Sequence, residues 1–339
     1  IIEDFTSLSI EDMIAEEEMV LTITHNGYIK RTSLSTYRSQ RRGGRGVQGA
    51  SSREEDFVEH LFVANTHSYI LFFTDKGKCY WVKVYDIPEG GRAAKGRAIV
   101  NLIGCEPDEK VSAFISVKEF NDDHYVVMAT EKGMVKKTKL SAYSNPRKKG
   151  IYAVEIRDGD KLIEARVSSG DNDILLGTRN GKSIRFSEEQ IRASGRKTMG
   201  VKGITLSSED DRLVGMLLIK REGTVLVATE KGFGKRTEIS QYRAQKRGGK
   251  GVLTMKTTDK VGKMVTIKEV VDKDDLMIIT NQGVLIRLPV AQIRSIGRAT
   301  QGVKLIKLGE GTLVSSITRI MSEEQEDENN NTEPADLKE

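Results

Sequence analysis

Lysine and arginine recur in this sequence at fixed offsets from a set of glycines, an arrangement suited to gripping oxyanions. Four residues after Gly27, Gly77, Gly133, Gly181, Gly232 and Gly283 stand Arg31, Trp81, Lys137, Arg185, Arg236 and Arg287, so five of the six are basic. Lys30, Lys136, Lys182 and Lys235 add charge beside this column, and Lys83 lies near the exception, Trp81. Further along each repeat comes a second basic stretch. It reads Tyr37-Arg38-Ser39-Gln40-Arg41-Arg42-Gly43-Gly44-Arg45-Gly46 first and Tyr242-Arg243-Ala244-Gln245-Lys246-Arg247-Gly248-Gly249-Lys250-Gly251 in the fifth. Between them come Arg147-Lys148-Lys149-Gly150, then Arg192, Arg196 and Lys197, and the last copy has Arg294 and Arg298. Guanidinium forks bind phosphate or carboxylate oxygens in pairs, and glycine lets several backbone N–H groups approach the same anion. A merely solvated strand face would mix both signs. A single Arg/Gly stretch would read as a flexible turn or an RNA-binding segment. In register with a repeat, the pattern favours fixed phosphate-gripping loops and a basic belt.

Other chemistry is poorly represented. Cys79 and Cys105 cannot form a disulfide framework, and His25, His60, His67 and His124 lack metal-ligand spacing. We expect incidental thiols, no metal and no cofactor. No Ser/His/Asp set or carboxylate pair recurs in a plausible place, so the chain is expected not to be an enzyme by itself. Net charge is +5, but residues 1–18 carry seven acids and no base, and residues 323–339 carry eight acids and one base. That leaves +19 on residues 19–322, a basic body between acidic flanks. No apolar run reaches the ~18 residues of a membrane span. A chain opening on Ile1 reads as part of a longer cytosolic protein.

The elements carrying these residues repeat. Thr-x-x-Gly occurs at Thr24–Gly27, Thr74–Gly77, Thr130–Gly133, Thr178–Gly181, Thr229–Gly232 and Thr280–Gly283. A large side chain follows each glycine by ten residues, at Tyr37, Ile87, Tyr143, Ile191, Tyr242 and Ile293. A second glycine follows at 46, 96, 150, 200, 251 and 302. Short β-branched runs precede each turn, such as Ile70–Thr74 and Ile174–Thr178, and another closes each unit, such as Val111–Val117. Units of ~50 residues with about four strands each are the signature of propeller blades. The expected fold is all-β and six-bladed, with blades near 19–66, 67–120, 121–170, 171–223, 224–273 and 274–322. Residues 1–18 are expected to be a lead-in with a short helix about Ser9–Met19, and 323–339 a disordered acidic tail.

Three stretches make the reading specific. Gln40-Arg41-Arg42-Gly43-Gly44-Arg45-Gly46 matches the seven-residue box of DNA gyrase A C-terminal domains. The stretches VYDIPEGGRAAKGRAIVNLI at 84–103 and EDMIAEEEMVLTITHNGYIKR at 11–31 also resemble that family. The resemblance covers the chain except the tail. It implies a β-pinwheel whose outer strands are exchanged between blades. It further implies duplex DNA wrapped non-specifically on a basic rim, with the box essential. The implied partners are the gyrase A core and gyrase B in an A2B2 complex. There, ATP hydrolysis with magnesium outside this segment drives negative supercoiling in the bacterial cytoplasm, on the nucleoid. A topoisomerase IV-type domain is the related alternative, although the complete box argues against it. A protein-binding propeller is the other, and the repeated Trp-Asp signature is absent. Wrapping a full turn of ~65 base pairs costs on the order of 27 kcal/mol elastically, so the contacts must be many and spread over the blades.

Overall fold

The computed structural model describes residues 11–33, 56, 58–91, 94–220, 223–282 and 285–321. Each repeat begins with an apolar strand buried on both faces: in Tyr69–Thr74 all but the first residue are buried. It turns at Thr-x-x-Gly and returns as a second strand, so that Leu175 of Asp173–Thr178 faces Arg185 of Lys182–Ser187. In the turn, the glycine N–H donates to the threonine carbonyl at 2.9–3.0 Å in the first five repeats. These glycines have φ between +77° and +84°, where any other residue is strained. Space demands glycine too: a Cβ on Gly181 would lie 2.1 Å from the Met255 carbonyl oxygen. A third strand, such as Leu213–Ile219, pairs with the other side of the first strand, with a bulge at the threonine.

The fourth strand of five sheets comes from the following repeat. Arg97–Ala98 joins Tyr28–Ser33, Ile151–Tyr152 joins Lys78–Lys83 and Val201–Lys202 joins Met134–Lys139. Val252–Leu253 joins Lys182–Ser187, and Val303–Lys304 joins Phe233–Glu238. Each two-residue strand directly follows a second-column glycine. There φ is positive, and a Cβ on Gly96, Gly200 or Gly251 would come within 2.4 Å of a backbone carbonyl oxygen. The sixth sheet has three described strands, Leu285–Pro289, Asp274–Thr280 and Val314–Met321.

Two compact units divide the chain. The first, residues 1–171 and 191–201, holds the first three sheets; the second, residues 172–190 and 202–339, holds the other three. Segment 191–201 belongs with the first because it ends in the exchanged strand of the third sheet. In each unit the ten-residue anchors sit in the core: Ile87, Tyr143 and Ile191 in the first, Tyr242 and Ile293 in the second, none more than 2 % exposed. Burying side chains of this size contributes roughly 1.5–3 kcal/mol each. The fold is a six-bladed β-propeller with exchanged outer strands.

Helix is scarce among the described residues: one α-helix, Ile99–Ile103, stopped by Gly104 at φ +61°, and six 3-10 turns. Among the described residues of the lead-in the helical part is a single 3-10 turn, Glu11–Met13, and the expected start at Ser9 lies outside them. Beyond it the chain runs extended because Thr66, at the junction of the first and second repeats, takes its backbone groups. Thr66 Oγ1 donates to Ala15 O (2.8 Å) and accepts from Glu17 N (3.1 Å), while Thr66 N donates to Glu17 O. Lys83 Nζ adds an ion pair to Glu11 at 2.6 Å.

Candidate nucleic-acid interface

Four of the six residues placed four positions after the first glycines aim an N–H at the same kind of backbone carbonyl. Arg31 Nε donates to Ile87 O at 2.7 Å, Arg185 Nη1 to Tyr242 O at 3.2 Å and Arg236 Nε to Ile293 O at 2.8 Å. Trp81 Nε1 donates to Tyr143 O at 2.8 Å. In each case the acceptor is the carbonyl of the anchor in the following repeat, so Trp81 belongs to the column by function although it lacks charge. Carboxylates take much of the remaining capacity: Glu89 on Arg31 (3.3 Å), Asp173 on Arg185 (2.6 Å), Asp272 on Arg236 and Asp275 on Arg287 (2.6 Å). Lys137 is buried, its amine 3.2 Å from Gly170 O and 4.5 Å from the Tyr125 ring centre. The expected outward belt therefore lies largely inside: of the column, only Arg287 is exposed.

Three of the lysines beside the column are buried pins. Lys30 Nζ donates to Gly91 O at 2.9 Å. Lys136 Nζ reaches Ala153 O at 2.7 Å and Arg196 O. Lys235 Nζ reaches Gly297 O at 2.6 Å, Thr300 Oγ1 at 3.0 Å and Arg298 O. Burial pushes the Lys136 ammonium down to about 7 and Lys235 to about 8, with Arg196 and Arg298 respectively adding repulsion. Burial also lowers Lys30. Lys182 is half-buried.

The loops between the two glycine columns behave differently. Arg147, Lys148 and Lys149 are all exposed, as are Arg192 and Lys197, Arg243, Lys246 and Lys250, and Arg294. Arg196, Arg247 and Arg298 are half-buried and bonded to carbonyls. Sequence reasoning missed Lys95, Arg97, Lys202 and Lys304, exposed on or beside the exchanged strands. Their signal was available, one or two residues from the second glycines, but it has meaning only once those pairs are known to be strands. Arg38 and the box from Gln40 to Gly46 (Gln40, Arg41, Arg42, Gly43, Gly44, Arg45) lie outside the described residues.

Nothing else among the described residues gathers chemistry. No group of three His, Cys, Asp or Glu side chains could hold a metal ion. Cys79 is buried, and burial pushes its thiol up. No described helix is long and apolar enough to cross a membrane.

Comparison with known proteins places this geometry. The family described as "DNA gyrase C-terminal domain, beta-propeller" matches residues 18–65, 68–118, 124–169, 172–220, 223–270 and 274–320. The DNA gyrase A protein of Staphylococcus aureus (strain COL) is 47% identical over 332 residues, which is 97% of this chain and 37% of that protein. The chain thus spans little more than a third of the length of that relative. Among solved structures, a crystal structure of the C-terminal domain of DNA topoisomerase IV is similar, with a TM-score of 0.80 and 26% identity. That match covers 94% of this chain and all of the other. A DNA gyrase A C-terminal domain shares the fold with a TM-score of 0.69 and 24% identity, over 90% of this chain and all of that one. Six family segments, one for each sheet, and near-half identity along almost the whole chain leave one conclusion: the chain belongs to the DNA gyrase A C-terminal domain family.

Proposed function

We propose that this chain binds duplex DNA through its phosphates, with little base preference, and wraps it as the DNA-handling part of a gyrase-type topoisomerase. One observation carries the reading: exposed cations recur in the loop between the two glycine columns of successive repeats, at 147–149, 192 and 197, 243, 246 and 250, and 294, with Arg192, Arg243 and Arg294 each eleven residues after the first glycine. Backbone-directed contact suits this surface, because the described residues include no helix long enough to enter a groove and present side chains to base edges. In this reading the exposed loop residues meet phosphates, while Lys30, Lys136, Lys235 and the inward-facing arginines hold the loops that carry them. Arg287 and Lys182 border the contact surface. The box from Gln40 to Gly46 keeps the wrapping role that the family resemblance gives it. The parent enzyme would pair gyrase A with gyrase B as A2B2 in the bacterial cytoplasm, hydrolysing ATP in gyrase B to introduce negative supercoils.

The test uses nicked circular plasmid bound by the chain at low salt, sealed with ligase and freed of protein. Chiral wrapping shifts the linking number of the product, and Arg41→Ala, Arg42→Ala and Arg45→Ala together should abolish the shift. Duplex affinity should fall steeply with salt, each phosphate contact contributing about 0.9 to the log–log slope. Salt-insensitive binding, or binding without a linking-number shift, would refute the phosphate-contact or the wrapping part respectively.

A further inference from the structure

Arg247 occupies the place in the fifth loop where its neighbours suggest a phosphate grip, yet the side chain turns back into the protein. Its Nη1 donates to Lys202 O at 2.5 Å and its Nε to Gln190 O at 3.2 Å. The Gln190 side chain completes the contact: Oε1 accepts from Arg247 N at 2.8 Å and Nε2 donates to Gln245 O at 3.2 Å. From the other side Thr205 Oγ1 donates to Gly248 O at 2.7 Å, and Thr205 N donates to Gly249 O at 2.9 Å. Gly248 N closes the set on Gly203 O at 2.7 Å. Every one of these contacts ties the loop to fourth-repeat residues, and all lie within the second unit. Around the tied positions Arg243, Lys246 and Lys250 remain exposed.

The same device recurs. Arg247 stands four residues before its second-column glycine, as do Arg196 and Arg298. Arg196 Nη1 donates to Tyr152 O at 3.1 Å, and Arg298 Nη1 to Leu253 O at 2.9 Å. All three acceptors are the second residues of exchanged strands, two after the preceding repeat's glycine (Tyr152, Lys202, Leu253). Sequence-matched arginines that make the same bond three times are under a structural constraint of the repeat.

We infer that Arg247, with Gln190 and Thr205, is a positioning residue that presents Arg243, Lys246 and Lys250 in one preformed geometry to the phosphates of duplex DNA. With Nε and Nη1 each donating to a carbonyl, two of the five guanidinium N–H groups are committed and the group is held in an orientation set by the protein. Holding the loop beforehand removes the ordering cost that a flexible Arg/Gly loop carries into binding. The inference rests on the DNA-binding reading above and deepens it.

The experiment measures affinity of the whole chain for a short duplex across a salt series. Lys246→Gln should lower the magnitude of the log–log slope by about 0.9, as a lost phosphate contact does. Arg247→Lys keeps the charge but not the fork. It should weaken binding about three- to tenfold with the slope unchanged, and so should Thr205→Val, which removes no charge. Thr205→Ser should restore wild-type affinity, which separates a lost hydroxyl bond from general unfolding. Hydrogen exchange reports the geometry without DNA: the Arg247 and Gly248 amides should be protected in the wild type and lose protection in Thr205→Val. Wild-type binding by Arg247→Lys and Thr205→Val, or a slope drop of about 0.9 in Arg247→Gln alone, would overturn the positioning role. A wild-type chain that fails to bind duplex at low salt would instead sink the DNA-binding reading, leaving the exchange result to judge the loop.

Discussion

Trp81 separates two explanations of its column, since it holds the arginine position without a charge. Its Nε1 donates to the Tyr143 carbonyl at 2.8 Å, and Tyr143 is fully buried. Trp81→Phe keeps an aromatic ring but leaves that carbonyl without its donor, which costs about 1–3 kcal/mol. The smaller ring gives up some apolar burial as well; for a half-buried side chain this is of order 1 kcal/mol. Trp81→Arg restores a donor of the kind used at 31, 185 and 236, while losing the aromatic packing against the cluster around Phe73 and Tyr143. The Arg variant should therefore be more stable than the Phe variant by about 1 kcal/mol, both below the wild type. At roughly 2–4 °C per kcal/mol for a unit of this size, Trp81→Phe should melt about 4–16 °C lower and Trp81→Arg about 2–12 °C lower. Calorimetry or far-UV circular dichroism is the assay, because the substitution removes the chain's one tryptophan. The salt slope of duplex binding gives a second readout. If the column gripped phosphate, adding Arg at 81 would steepen the slope by about 0.9; with the donor facing inward, no steepening is expected. A Phe variant as stable as the wild type, or an Arg variant that melts with or below it, would refute the shared-donor argument.

Three further expectations use other parts of the structure. Gly251→Ala forces a Cβ onto a φ of +68° and to 2.3 Å from Ser183 O; a loss of about 2–4 kcal/mol follows from strain plus displacement of the exchanged strand, measurable by urea denaturation, and a change under 0.5 kcal/mol would contradict it. Burial holds Lys136 at about 7, below its ordinary 10.5, so between these values the unfolded chain binds the extra proton and stability rises with pH, by at most ~1.4 kcal/mol per unit. Lys136→Met should abolish that rise, and denaturation of both proteins at pH 7.5 and 9.5 checks it: parallel pH profiles would refute the titration. Replacing Arg147, Lys148 and Lys149 together with Gln should leave the melting temperature within a degree or two and reduce the salt slope by about 2.7, whereas an unchanged slope would remove the third loop from the interface.

Turns and anchors were legible in the sequence because their constraints are local and steric. A positive φ at Gly181 and a fully buried ring at Tyr242 leave few alternatives, and a glycine and a large side chain recur at these two positions in all six repeats of the sequence. Strands Val111–Val117 and Leu213–Ile219 could be read to the residue from apolar content alone. The exchanged strands could not, because two residues such as Val201–Lys202 carry no periodicity and find their partner in another repeat. The direction of a long side chain was equally hidden. Composition gives Arg236 and Arg243 the same charge, but one points at the Ile293 carbonyl and the other at solvent. What distinguishes them is the following repeat's backbone, which no window of sequence around either residue contains.

Register contains one more pattern that charge counting passes over. Three residues after the first glycine, the first, third and fifth repeats have Lys30, Lys136 and Lys235; the second, fourth and sixth have Tyr80, Ile184 and Ile286. Two positions further stand Thr32, Thr138 and Thr237 against Val82, Phe186 and Leu288. Polar strands hold the next loop by its carbonyls: Lys30 and Thr32 take Gly91 O and Gly90 O, and Lys235 and Thr237 take Gly297 O and Ile296 O. Apolar strands hold it by contact, as Gly150 lies against the Tyr80 ring and Gly249 against Ile184. A loop held by an ammonium needs a carbonyl free at its apex, whereas one resting on an apolar floor must come close, which glycine allows. The strongly basic loops of the third and fifth repeats lie above apolar strands, and each buried lysine falls one repeat earlier than the loop it holds. The +19 of the basic body is thus two populations. Lys136 and its equivalents spend their charge inside the blades, and the exposed cations such as Lys148 and Lys246 are left to meet a polyanion.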